Sequence, residues 1–182
     1  LTRLPKLGLP LENAALALQI YALLDMPWQP ESMVNALQNT ALTGRMQEIK
    51  LLYKGQQRTV ILDVAHNPHS AEYLACWLDN RAIEGQRYAV FGALADKDVP
   101  GVILAMLGQF ASWSAAELPA ARSYKAAELE AVFAEHNTEV ERFASIKQAL
   151  IAQLERAEAA DEIVVFGSFF TVTQALETLA QV

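Results

Sequence analysis

Residues 63–70, Asp63-Val64-Ala65-His66-Asn67-Pro68-His69-Ser70, gather a carboxylate, two imidazoles, an amide and a hydroxyl into one short stretch. An ionised Asp63 is an acceptor for hydroxyl groups such as those of a ribose; otherwise it caps the turn on which it stands. His66 can orient an anionic group, with an imidazole satisfied by backbone as the plainer alternative. Asn67 and Pro68 are types that open a helix. The amide accepts from free backbone N–H groups, and the proline ring lacks an N–H where none is needed. His69 then falls in the first turn, where a cation is disfavoured, so a neutral ring is expected. Ser70 suits a capping role.

Three further groups can do chemistry. Ser168 follows Gly167 after an apolar run. The glycine permits close approach by a ligand and the hydroxyl can donate to a carboxylate, or the serine is an ordinary helix cap. Lys97 stands between Asp96 and Asp98. It is either a phosphate contact or a solvated loop charge. Arg45 follows Thr43-Gly44; its planar guanidinium suits bidentate phosphate binding, with a plain surface arginine as the alternative.

For these groups to meet, distant segments must end along one edge. Gln47 to Leu52 and Gln57 to Asp63 read as two strands of a hairpin around Lys54-Gly55-Gln56. Helices are expected over 68–78, 99–107, 125–133, 145–158 and 171–179, and strands over 87–91, 110–115, 138–142 and 162–166. Asp96 or Asp98 is expected to cap the helix from Val99. Strands alternating with helices predict βαβ units with right-handed crossovers. The expected fold is α/β: a Rossmann-like, mostly parallel sheet with helices on both faces and a β-hairpin at its start. The turns at Asp63–Ser70, Gly92–Asp98 and Gly167-Ser168 would then share the carboxyl edge, where ligands bind and helix N-termini offer free N–H groups.

The first forty residues read differently. Leu11, Ala14, Ala15, Leu18 and Tyr21 share a face of a helix over 11–24, Met26–Pro30 breaks it, and a shorter helix is expected over 32–38. A boundary at 39–44 makes 1–39 the tail of a preceding domain and 40–182 an α/β domain.

Composition narrows the class. Of 182 residues, 53% are hydrophobic and 19% charged, the balance of a globular chain. A net charge of −7 argues against nucleic acid as a partner, although a nucleotide needs only a few local donors. Cys76 is the single cysteine. It allows no internal disulfide and no cysteine-based zinc site, and it suits a reducing, cytoplasmic setting. No apolar run approaches the ~20 residues of a membrane span, and no signal-peptide pattern opens the chain. The chain starts at Leu1 rather than Met and reads as a piece of a longer protein. It contains no G-x-x-x-x-G-K-[ST], G-x-G-x-x-G, H-E-x-x-H or G-x-S-x-G, and no metal-ligand spacing. Any phosphate loop or Mg²⁺ site is therefore expected elsewhere.

Ile61–Ser70 closely resembles the signature of the C-terminal domain of the folylpolyglutamate synthase/dihydrofolate synthase family, within the Mur ligase superfamily. Gly92-Ala93-Leu94-Ala95-Asp96-Lys97-Asp98 and Val165-Phe166-Gly167-Ser168-Phe169 resemble two further motifs of that domain, in the expected order. Leu9-Pro10-Leu11-Glu12-Asn13-Ala14-Ala15 resembles the helix start that closes the family's central ATPase domain, and Thr43-Gly44-Arg45 its inter-domain linker. Thr43 stands where the family often has proline, and Phe170 where bacterial members often have histidine.

The resemblance implies an ATP-dependent amide ligase. ATP phosphorylates a carboxylate of dihydropteroate or of a folate, and the amine of L-glutamate attacks the acyl phosphate. By motif position, Asn13 would lie near the base, Arg45 on phosphate and Asp63 on ribose. His66 and Ser168 would hold the incoming glutamate, with Lys97, Asn67 and His69 as further candidate contacts. The resemblance also implies ATP and Mg²⁺ as cofactors and a monomeric enzyme. The P-loop, the magnesium ligands and a modified lysine would lie on an N-terminal ATPase domain that partners this one. The fragment alone is then expected to be inactive. Two other readings stand beside it: a Rossmann-like binding module without chemistry, and a Mur ligase domain of peptidoglycan synthesis.

Overall fold

The computed structural model describes Leu7 and residues 10–182; Leu9 of the first motif lies outside them. Two helices, α1 (Leu11–Leu23) and α2 (Pro30–Asn39), come first. Then β1 (Gln47–Tyr53) and β2 (Gln56–Asp63) form an antiparallel hairpin. Its turn is the pair Lys54 and Gly55, with φ of 49° and 79°, the double positive φ that a type I′ turn requires.

Beyond the hairpin, helices and strands alternate: α3 (Pro68–Asp79), β3 (Arg87–Phe91), α4 (Val99–Met106), β4 (Ser112–Ala116), α5 (Ala126–Glu135), β5 (Glu141–Phe143), α6 (Ile146–Arg156), β6 (Glu162–Phe166) and α7 (Phe169–Leu179). The sheet order is β1-β2-β6-β3-β4-β5, with every pair parallel except β1 with β2. The chain thus steps outward from β2 through β3 and β4 to β5, then returns to insert β6 between β2 and β3. Right-handed crossovers running in opposite directions place their helices on opposite faces.

The two core layers show it. Ile61, Ala89, Phe91, Val164 and Phe166 pack on α3, α4 and α5 through Leu74, Leu78, Ile103, Met106, Leu129 and Phe133. The alternate residues Val60, Leu62, Val90, Ile163 and Val165 pack on α6 and α7 through Ile146, Leu150, Leu154, Val172 and Ala175. All five residues of β6 are buried, as a central parallel strand requires.

β2 is followed by α3 on one face and β6 by α7 on the other. The carboxyl ends of these neighbouring strands therefore flank a topological switch point, the crevice where open α/β sheets bind ligands.

Four elements start two or more residues away from the sequence expectation. β4 starts at Ser112, because Phe110 stacks on Phe166 at 5.8 Å and meets Trp113 edge-on at 4.8 Å instead of pairing. β5 is shifted to Glu141–Phe143, because Asn137 turns the chain with φ 53° and Thr138 N–H closes α5 on the Phe133 carbonyl. α7 starts at Phe169, since Ser168 rather than a later residue is its N-cap. α2 starts at Pro30, with proline at the first position.

Much of the apolar surface of α1 is uncovered: Leu16 is 57% exposed, Ile20 51% and Leu23 85%. No helix among the described residues is long and apolar enough to cross a membrane.

Candidate functional site

Asp63 is the last residue of β2 and is buried. Its Oδ2 accepts the Met46 N–H at 2.9 Å and its Oδ1 accepts the Ala65 N–H at 2.7 Å. A carboxylate has about four acceptor sites, so two remain for a ligand. Burial pushes this carboxyl above the usual aspartate range, against the pull of the two N–H donors and of Arg45 and His66. The turn-capping alternative is therefore realised, and the acceptor capacity survives it.

The linker is shaped to reach Asp63. Gly44 has φ 70°, and a Cβ there would lie 2.9 Å from Val64 Cγ1 and 3.1 Å from Val172 Cγ1. Its carbonyl accepts the Val64 N–H at 2.8 Å, and its N–H donates to Gln47 Oε1 at 2.9 Å. Met46 adopts φ 44°, which turns its N–H onto Asp63. Arg45, held between them, has no salt-bridge partner among the described residues.

A cavity of about 330 Å³ opens here. Asn13, Arg45 and Asp63 all line it, from three separate segments. Pro10 and Glu12 join Asn13 at the start of α1, Leu42 and Met46 come from the linker, and His69, Ser70 and Tyr73 come from the first turns of α3. Among the described residues, the lining thus offers the Arg45 guanidinium, the Glu12 and Asp63 carboxylates, the Asn13 amide, the His69 imidazole, the Ser70 hydroxyl and the Tyr73 ring.

His66 and Asn67 stand just outside it. His66 is partly buried, and one ring nitrogen, Nδ1, lies 2.8 Å from the Val64 carbonyl. That bond leaves Nε2 as the nitrogen available to another group. Asn67 caps α3: its Oδ1 accepts the Ser70 N–H at 2.9 Å, while Ser70 Oγ accepts the Asn67 N–H at 3.3 Å. This reciprocal box makes Asn67 and Ser70 the pieces that orient the helix. His69 is exposed on the cavity wall.

Ser168 lies at the end of β6, the strand beside β2, where Phe166 is opposite Asp63. It is buried, and its Oγ accepts the Thr171 N–H at 3.0 Å and sits 2.8 Å from Thr171 Oγ1. The Thr171 hydroxyl donates to the Gly92 carbonyl at 2.7 Å. Gly167 has φ 121°, and a Cβ there would lie 2.4 Å from the Gly92 oxygen. The close approach that needs this glycine is thus between two strand ends, and Ser168 serves as the cap of α7.

Lys97 is apart from the cavity and pairs with Asp96 at 3.4 Å, which Arg122 also reaches. Asp98, of the two candidates, caps α4 by accepting the Gly101 N–H at 3.0 Å. Among the described residues no group of three or more His, Cys, Asp or Glu is placed to hold a metal ion.

Sequence reasoning missed Tyr73, Glu12 and Met46. Tyr73 was findable: it follows His69 by four residues and Ser70 by three, so the three share a helix stripe. Met46 acts through its backbone, which no side-chain type announces.

The sequence model of the Mur ligase family, described as the glutamate ligase domain, matches residues 44–169, and the chain belongs to that family. A dihydrofolate synthase/folylpolyglutamate synthase of Buchnera aphidicola is 35% identical over 97% of this chain and 41% of its own length. The structure of a bifunctional folylpolyglutamate synthase/dihydrofolate synthase from Yersinia pestis, complexed with AMPPNP and Mn ion, is 34% identical, with a TM-score of 0.86 over 99% of this chain and 42% of its own. Escherichia coli FolC, in complex with DHPP and ADP, is 31% identical, with a TM-score of 0.88 over 100% of this chain and 42% of its own. The chain therefore spans about two fifths of the length of these relatives.

Proposed function

We propose that this chain is the ATP- and glutamate-contacting C-terminal domain of a ligase that adds L-glutamate to dihydropteroate, to folates or to both. One observation carries the proposal: Asn13, Arg45 and Asp63 line one cavity at the carboxyl end of β2, in a chain of the Mur ligase family. The remaining acceptor sites of Asp63 suit ribose hydroxyls, and Arg45, without a salt-bridge partner among the described residues, suits a phosphate. Asn13, at the start of α1, would face the base. His66 Nε2 and the rim beside Ser168 would receive the carboxylates of glutamate, with Asn67 holding the turn, His69 on the wall and Lys97 farther along the edge.

Residues 1–39 would close an ATPase domain that supplies the phosphate loop and the Mg²⁺ ligands, and residues 40–182 would form the ligase C-terminal domain. The exposed apolar residues of α1 support this division, because large uncovered apolar faces mark sites of contact. ATP would convert the acceptor carboxylate to an acyl phosphate. This chain's part is then to place the amine of glutamate against it and exclude water, which two converging domains achieve. The protein would be a cytoplasmic monomer, in keeping with its lone Cys76.

The test is ligation of L-glutamate by the longer protein that carries this chain. With ATP and Mg²⁺, product is expected with dihydropteroate or a folate. The isolated chain is expected to give none. A longer protein that ligates glutamate to neither acceptor would overturn the proposal.

A further inference from the structure

We propose that the amino edge of the sheet carries a second ligand site, a pocket built on Arg58 that takes a small zwitterionic α-amino acid by its carboxylate. The proposal goes beyond the ligase reading. Arg58 is the third residue of β2 and Asp63 its last, so the two stand about 17 Å apart along the strand.

Three observations carry it. The first is the state of Arg58. It is 4% exposed, the one Lys or Arg among the described residues that is buried. No carboxylate among those residues lies within salt-bridge distance of it. Its partners are all neutral: Nε donates to the Leu154 carbonyl at 2.9 Å, Nη1 to the Gln57 carbonyl at 2.9 Å and Nη2 to Gln56 Oε1 at 2.8 Å. The bond to Leu154 caps the last turn of α6 and fixes the guanidinium there. A guanidinium has five N–H donors, so one is left on each terminal nitrogen, matching in number the two oxygens of a carboxylate. A buried charge without a counter-charge is costly, and a bound anion offsets that cost.

The second is a cavity of about 540 Å³ that Arg58 lines. Its backbone wall at 157–159 is held in place, because Asp161 accepts the Glu158 N–H and the Gln86 N–H, each at 2.7 Å.

The third is the charge around the opening. Glu155, Arg156 and Glu158 line the same cavity and are exposed, whereas Arg58 is buried. Glu155 pairs with Lys54 at 2.7 Å and Arg156 with Glu141 at 3.0 Å. Glu158 has no salt-bridge partner among the described residues. The charges left over are thus a buried cation and an exposed carboxylate. Two carboxylates at the opening repel a dianion such as phosphate, whereas a molecule with one carboxylate and one ammonium group complements both charges.

L-Alanine is the probe, titrated by calorimetry into the longer protein that carries this chain. Binding is expected with a Kd of about 1 mM. Arg58→Lys keeps the charge without the fork and should weaken it about tenfold. Glu158→Gln changes an exposed side chain, leaves the fold intact and should weaken L-alanine about threefold without weakening acetate. Should Arg58→Lys not fold, Glu158→Gln decides alone. No binding by the parent at about ten times that Kd would overturn the proposal. So would unchanged affinity in the folded variants, or acetate or inorganic phosphate bound by the parent as tightly as L-alanine. Binding is read here without ligation. A protein that binds L-alanine in this way but ligates no glutamate loses only the ligase reading, and one that ligates glutamate but binds no L-alanine loses only this site.

Discussion

The backbone N–H of Met46 donates to Oδ2 of Asp63 at 2.9 Å, across 17 positions of sequence. This bond ties the linker to the end of β2 and delivers Arg45 to the cavity that Asp63 lines. The side chain proposed to hold ribose is therefore also the one that positions the phosphate ligand.

A pH dependence follows. Burial holds the Asp63 carboxyl above the usual range, so the fold favours its neutral form. The stability Asp63 contributes is complete below the ordinary aspartate pKa and is lost as pH rises through the raised value. Ligand hydroxyls are held best by the ionised form. ATP affinity is thus expected to fall as pH drops through the raised value, while the denaturation midpoint relative to Asp63→Asn rises. Titration of both proteins by calorimetry and urea melts checks this; parallel profiles would contradict it.

His66 and Asn67 are adjacent but should separate by phenotype. Asn67→Ala removes the cap of α3 and is expected to cost about 1 kcal/mol of stability. His66→Ala removes the free Nε2 and is expected to raise the KM for glutamate, with little effect on the melt. Steady-state kinetics and thermal denaturation of the two variants decide it, and a glutamate KM unmoved by His66→Ala would remove His66 from the site.

Gly167→Ala should unsettle the junction of β6 with β3. Its φ of 121° is unfavourable for any Cβ, and the added carbon would stand 2.4 Å from the Gly92 oxygen. Strain and displacement together are expected to cost about 3 kcal/mol. Chemical denaturation measures it; a loss below about 1 kcal/mol would mean the two strand ends move apart freely.

At the opposite edge of the sheet, buried Glu162 pairs with Arg87 at 3.0 Å and with Arg81. Arg87→Ala leaves that carboxylate with one partner and is expected to cost about 2 kcal/mol. Once the variant is folded, its ligation kinetics should match the parent's, because this network lies far from the cavity. A kinetic defect at full folding would show that the two edges are coupled.

Asp63, Asn67, Pro68 and Ser70 were legible because capping and strand-end roles depend on residue types within four positions. Arg45 was legible as a type but not as a neighbour. Gly167 was legible as a close approach, yet the partner is the Gly92 carbonyl rather than a ligand. Ser168 read equally as cap and as donor, and its hydroxyl is engaged with Thr171. Phe110 read as strand because aromatic side chains favour strands, but its ring was worth more stacked on Phe166.

Residue order by itself determined the alternation of strands and helices, the hairpin, the helix caps and the polar stretch that ends β2. These follow from periodicity and from hydrogen bonds between near neighbours. Only the tertiary structure decided that β6 enters between β2 and β3, which sets the strand end bearing Ser168 beside the one bearing Asp63. It alone set the start of α1 against α3, so that Asn13 and Tyr73 share a cavity. The physical reason is that strand order and helix docking are chosen by burial summed over the whole chain, a quantity with no local signature.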